Sequence, residues 1–120
     1  MPRCLFLSLR TDRSEIASVI RDLGVEVDEM NNGADAMSWL DQRSYEAIII
    51  ESNLPKEYGW DFAIRLKPAL EQNKKSKVFL LCDSIDEIFQ ARLERTGITC
   101  VGRPIYDLKM RALFRTFKVI

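Results

Sequence analysis

Apolar stretches with strand character recur at regular intervals along the chain. They occupy residues 4–9 (CLFLSL), 25–30 (VEVDEM), 47–51 (AIIIE), 78–82 (VFLLC) and 98–101 (ITCV). Three of them are short continuous apolar runs, the pattern of parallel strands covered on both faces. In the second, Val25 and Val27 alternate with Glu26 and Asp28, which predicts an outer strand.

Segments of helical period lie between them. Ile16, Val19, Ile20 and Leu23 fall on one helical face. Asp12 with Glu15 three residues later reads as a capping-box start, and Gly24 sits where a C-terminal cap belongs. Ala36, Met37 and Leu40 after Asn32-Gly33 predict a second helix, and a third runs from about Trp60 to Leu66, with Phe62 and Ile64 available for packing. Pro68 ends or kinks it, because proline lacks the backbone donor and crowds the preceding turn. Ser84-Ile85-Asp86-Glu87 reads as a capping box ahead of Ile88, Phe89 and Leu93, in a helix ending near Gly97. Met110, Leu113, Phe114 and Phe117 give the last helix its apolar face.

Five βα units in 120 residues predict a doubly wound, open, five-stranded parallel sheet with five helices. The right-handed crossover rule and this length favour strand order 2-1-3-4-5, the flavodoxin-like arrangement. Residues 1–120 are read as a single domain, long enough to bury a real core. Hydrophobic residues make up 47% and charged residues 30%, an ordinary globular balance. Eighteen basic side chains match eighteen acidic ones, which removes any overall pull toward nucleic acid or an anionic membrane. There is no histidine, the commonest general base and metal ligand at neutral pH. Cys4, Cys82 and Cys100 form neither a disulfide framework nor a zinc spacing, and the apolar start is too short for a signal peptide or span. A reducing cytoplasm is therefore the expected location.

Ligands of such sheets gather beyond the carboxyl ends of the strands. There the chain delivers Leu7 to Asp12, Glu51, Cys82-Asp83 and Arg103. Together with three motifs in the right order, these residues make the chain resemble the receiver domains of two-component response regulators (CheY-like). YEAIIIESNLPKEYGWD (45–61) resembles the strand that carries the phosphoaccepting aspartate and its Leu-Pro and Gly loop. NNGADAM (31–37) resembles the start of the family's second helix, and TGITCVGRP (96–104) its last strand and Lys-Pro turn.

The resemblance implies a known chemistry: an aspartate attacks a phosphohistidine, and Mg²⁺ held by that aspartate and an acid pair offsets the charge. Carried over residue by residue, this sequence departs from it. The acceptor position falls on Glu51, and the acid pair on Leu7-Ser8, or Ser8-Leu9 if the strand shifts by one. The Thr/Ser position falls on Cys82, the lysine on Arg103, the switch aromatic on Cys100, and the residue before the loop glycine is Tyr58. Mg²⁺ demands several hard oxygen ligands in near-octahedral geometry. Glutamate also carries its carboxylate one methylene further out, and attack is sensitive to displacements of about 1 Å. The expectation is a pseudo-receiver with no metal, no cofactor and no catalysis. The alternative is a receiver still phosphorylated by a histidine kinase at an altered site.

Glu51 then has three readings: an inherited acid paired with Arg103, a fixed charge that imitates the phosphorylated state, or a residual phosphoacceptor. The first leads, because the planar guanidinium fork suits a carboxylate. Mimicry would be partial, one charge standing for nearly two. Cys82 and Cys100 are read as core packing rather than a redox pair, since no Cys-x-x-Cys or helix start lowers a thiol pKa here. Arg103-Pro104 is a candidate cis peptide, as the family's Lys-Pro implies. The run Lys74-Lys75-Ser76-Lys77 is read as a solvated loop and Trp39 as packing, with Tyr58 and Trp60 better placed for recognition.

By family resemblance, the partners expected are a protein or an output domain. A homodimer through the fourth helix, fifth strand and fifth helix is one form, using Arg92, Glu94, Arg95, Asp107, Lys109, Arg111 and Arg115. Direct nucleic-acid or membrane contact is not expected. A flavin or nucleotide binder of the same topology is disfavoured, because the turn Leu9-Arg10-Thr11-Asp12-Arg13 has no glycine to cradle a phosphate.

Overall fold

The computed structural model describes residues 1–54, 58–70, 75–84 and 86–120, so Pro55, Lys74 and Ile85 of the expectations above lie outside the described residues. Five strands and five helices alternate: β1 (Arg3–Leu7), α1 (Arg13–Arg21), β2 (Glu26–Met30), α2 (Gly33–Gln42), β3 (Ala47–Glu51), α3 (Gly59–Leu66), β4 (Lys77–Cys82), α4 (Glu87–Arg95), β5 (Ile98–Gly102) and α5 (Asp107–Thr116). All pairings are parallel, in the order β2-β1-β3-β4-β5, as the pattern predicted. β2 is an edge strand, in line with its half-polar alternation.

Strand periodicity explains the two-sided core. Leu5, Leu7, Ile48, Ile50, Val78, Leu80 and Ile98 point to one face, where they meet Leu40, Phe62, Leu66 and Leu93 from α2, α3 and α4. Cys4, Phe6, Ile49, Phe79, Leu81 and Val101 point to the other, against Ile16, Ile20, Met110 and Phe114 from α1 and α5. Each fully buried Leu, Ile or Phe contributes about 1.5–3 kcal/mol relative to exposure. No helix among the described residues is long and apolar enough to cross a membrane.

Several local expectations hold. Gly24 and Gly97 take positive φ, 86° and 81°, after α1 and α4, and Asn32 caps α2 by accepting from the Asp35 N–H at 2.8 Å. Pro68 sits in a 3-10 turn, Lys67–Ala69, that follows α3 directly. The Arg103–Pro104 peptide is cis.

Others need correction. Asp12 precedes α1 but its side chain makes no capping bond, because its carboxylate is drawn to an arginine far along the chain. The cap of α4 is Asp86, which accepts from the N–H groups of Ile88 and Phe89, so Ser84 lies before the cap rather than at it. Ile64 is 38% exposed while Phe62 and Ala63 pack inward, because α3 turns a narrow face to the sheet. β1 stops at Leu7, with Ser8 and Leu9 already in the loop. Lys109 is no free salt-bridging residue: its ammonium donates to the carbonyls of Gly102 and Pro104.

Candidate functional site

β3 is buried along its whole length, Glu51 included, whose side chain has no exposed surface. A buried carboxylate needs a partner, since an unpaired buried charge is strongly unfavourable. Arg103 supplies it from the end of β5, its own N–H anchored on the Cys82 carbonyl at 2.9 Å. Arg103 Nη1 donates to Glu51 Oε1 at 2.9 Å and Nη2 to Oε2 at 2.6 Å, a two-point fork.

The same guanidinium serves two further acids. Nε donates to Asp12 Oδ2 at 3.1 Å, Nη2 to Asp12 Oδ1 at 3.4 Å, and Nη1 to Asp83 Oδ1 at 3.2 Å. Arg10 closes the ring from outside, 3.0 Å from Asp83 Oδ2 and 3.7 Å from Asp12 Oδ1. Three carboxylates and two guanidinium groups thus tie together the loops after β1 and β4 and the ends of β3 and β5. Hydrogen bonding to Glu51 holds Arg103 above the usual arginine range, against the opposing effect of burial.

A backbone contact fixes the exit of β3. Gly59, the first residue of α3, donates its N–H to the Ser52 carbonyl at 2.8 Å, and Asn53 and Tyr58 bridge beside it. A Cβ at position 59 would stand 2.0 Å from the Glu51 carbonyl oxygen. Only glycine permits that approach.

The remaining positions singled out in the sequence are placed as follows. Leu7 and Ser8 are fully buried, and Leu7 belongs to the core. Ser8 turns its hydroxyl to the Arg10 N–H, 3.1 Å away, while its carbonyl accepts from Arg13. Cys82 and Cys100 pack in the core cluster on the side of α4, and the Cys82 thiol donates weakly to the Leu80 carbonyl. Burial, with Cys100 beside it, pushes the Cys82 thiol up to about 12, and burial likewise raises Cys100. Tyr58 is 64% exposed beside the loop. Trp60 is partly exposed and meets the Phe89 ring edge-on, with centroids 5.8 Å apart. Trp39 packs against the core and carries the Arg43 guanidinium over its ring at 3.8 Å.

The structure forms the expected Glu51–Arg103 pair. Asp12 and Asp83 belong to this edge by their positions after β1 and β4, but nothing in the sequence around them or around Arg10 signals their ion-pair partners. Counting charges on all four loops of the carboxyl edge would have suggested a network instead of a pair.

No family model matches the chain, and no curated protein sequence matches it significantly. Solved structures do. The chain superposes on the chemotaxis protein CheY4 of Vibrio cholerae with a TM-score of 0.86 at 18% identity, covering 98% of both chains. A two-component response regulator from Cytophaga hutchinsonii gives 0.84 at 23% identity, over 98% of this chain and 97% of that one. A Burkholderia pseudomallei response regulator, solved with a phosphorylated aspartic acid and a calcium ion, gives 0.78 at 13% identity over 93% of this chain and 65% of that one.

The residues here do not suit a divalent cation such as the calcium ion of that Burkholderia structure. Leu7 and Ser8 bring no carboxylate, both Glu51 oxygens are taken by Arg103, and a cation between Glu51, Asp12 and Asp83 would meet the guanidinium. Among the described residues no group of three His, Cys, Asp or Glu side chains is arranged to hold a metal ion. The chain has the CheY-like receiver fold, with an arginine at the centre of its carboxyl-edge site.

Proposed function

We propose that the chain is a non-catalytic, phosphorylation-independent receiver-type domain, spanning residues 1–120, that serves bacterial signalling through protein contacts in the cytoplasm. One observation carries this reading. Arg103 holds both oxygens of the buried Glu51 together with Asp12 and Asp83, so a guanidinium already occupies the place among these acids where a metal cation would offset their charge. A carboxylate without exposed surface and with both oxygens engaged is a poor nucleophile. In this reading Glu51, Leu7, Ser8, Tyr58, Cys82 and Arg103 mark a former phosphorylation site, and Cys100 a former switch position.

The partner is a second copy or an output domain that meets α4, β5 and α5. Ile88, Tyr106 and Leu108 support this, being 71%, 53% and 73% exposed on the first turns of α4 and α5 or just before them. Arg92, Glu94, Arg95, Arg111 and Arg115 frame them with mixed charge. Aromatic and aliphatic anchors within a charged rim are what a protein interface uses.

Incubation with acetyl phosphate and Mg²⁺, followed by intact-mass measurement, tests the central claim. An unchanged mass is expected. A gain of one phosphoryl group that disappears in Glu51→Gln would establish the alternative, a receiver phosphorylated at an altered site.

A further inference from the structure

The opposite pole of the sheet carries a second feature that the phosphorylation chemistry does not touch. Where β3 and β4 begin, the loops before them and the end of α5 border an open surface cavity of about 400 Å³. Lys75, Lys77 and Lys118 line it, with Phe117 and Ser44. Its volume falls within the roughly 300–1,000 Å³ range of small-molecule sites.

The charge there is unbalanced. Among the described residues none of these three ammonium groups makes an ion pair or hydrogen bond. The one carboxylate on the lining, Glu46, accepts from the Arg3 N–H at 2.6 Å. In a chain with zero net charge, this pole concentrates unpaired positive charge. The Phe117 ring forms an apolar wall, held edge-on against Phe79 with centroids 5.2 Å apart.

Lys118 adds an independent observation. α5 ends in a paired reversal: the Val119 N–H bonds to the Phe114 carbonyl at 2.7 Å and the Lys118 N–H to the Arg115 carbonyl at 3.1 Å. The residue at the turn has φ 59°, a conformation that strongly favours glycine. A lysine stands there instead, its side chain on the cavity. Backbone strain kept at a position where glycine would relieve it points to a task for the side chain.

We propose that this cavity binds a small phosphate-bearing ligand with a flat apolar portion, of the size of a mononucleotide. Lys75, Lys77 and Lys118 would hold the phosphate, and Phe117 would pack on the flat group.

Titration of the intact chain with AMP and, separately, inorganic phosphate, followed by amide NMR, tests this. AMP is expected to shift Lys75, Lys77, Phe117 and Lys118, to bind more tightly than phosphate, and to weaken as salt is added. Lys118→Gly should raise the melting temperature and yet weaken AMP binding about tenfold, and Lys77→Gln should weaken it similarly with the fold unchanged. The proposal fails if AMP shifts nothing there, if phosphate binds as well as AMP, or if both variants keep wild-type affinity.

Discussion

Arg103→Met is the sharpest probe of the carboxyl-edge network. It removes the only side chain on Glu51 among the described contacts and leaves a carboxylate with no exposed surface. Stripping one partner from a buried pair costs about 3–5 kcal/mol. Asp12 and Asp83 also lose a partner, but their side chains are 31% and 53% exposed and each adds at most about 1 kcal/mol. The expected total, about 4 kcal/mol, is a large part of the ~5–15 kcal/mol that holds a domain of this kind. Glu51→Gln should cost less, about 1–2 kcal/mol, because the amide oxygen still accepts and Arg103 keeps its two aspartates. The Glu51→Gln/Arg103→Met double variant should be more stable than the sum of the single losses predicts, by about 1.5 kcal/mol or more. Urea unfolding at pH 7 reads all of this. With a slope of ~2 kcal/mol/M, the Arg103 variant should lose about 2 M in midpoint. A loss below about 1 kcal/mol, or singles that simply add, would mean that Glu51 finds water and that the network is an ordinary surface arrangement.

Two further outcomes follow from particular contacts. Gly59→Ala should destabilise by about 2–3 kcal/mol or more in the same urea assay, although alanine is the better helix former, because its Cβ would meet the Glu51 carbonyl oxygen 2.0 Å away; unchanged stability would refute that close approach. The cysteines set an alkaline limit. Cys82 is raised from 9.0 to about 12 in the fold, so the unfolded chain loses this proton first. Its contribution is therefore fully present below pH 9 and is lost as pH rises from 9 toward 12. Cys82→Val should show a shallower loss of stability between pH 8 and 10 than the wild type, and equal losses would refute the assignment.

The architecture was legible in the sequence because strand burial and helical period are local signals that agree with each other. The all-apolar 47–50 run, the alternation at 25–28 and the Gly24 stop each carry their meaning within a few residues. The Glu51–Arg103 pair was legible for a different reason: the topology brings the ends of β3 and β5 to one edge, and their charges are opposite. What failed were local rules overruled by distant partners. Asp12 has the spacing of a helix cap, yet Arg103, 91 residues away, takes its carboxylate. Lys109 reads as a surface charge, yet the carbonyls at the cis turn claim it. Ser84 matches a capping pattern, but the chain enters α4 two residues later, where Asp86 caps as well. The cavity at the other pole was illegible because residues 44–46, 75–77 and 117–118 meet only after the sheet has assembled.

The position of Arg103 also bears on how the chain reaches its fold. Its bonds to Asp12 and Glu51 close intervals of 91 and 52 residues, and its strand, β5, is the last to join the sheet in chain order. Until β5 docks, β3 ends in an acid with nothing to neutralise it, so a sheet assembled from only the first four strands is electrostatically incomplete. The terminal strand therefore brings the missing counter-charge as well as its own backbone bonds. That coupling disfavours partly built sheets that lack β5.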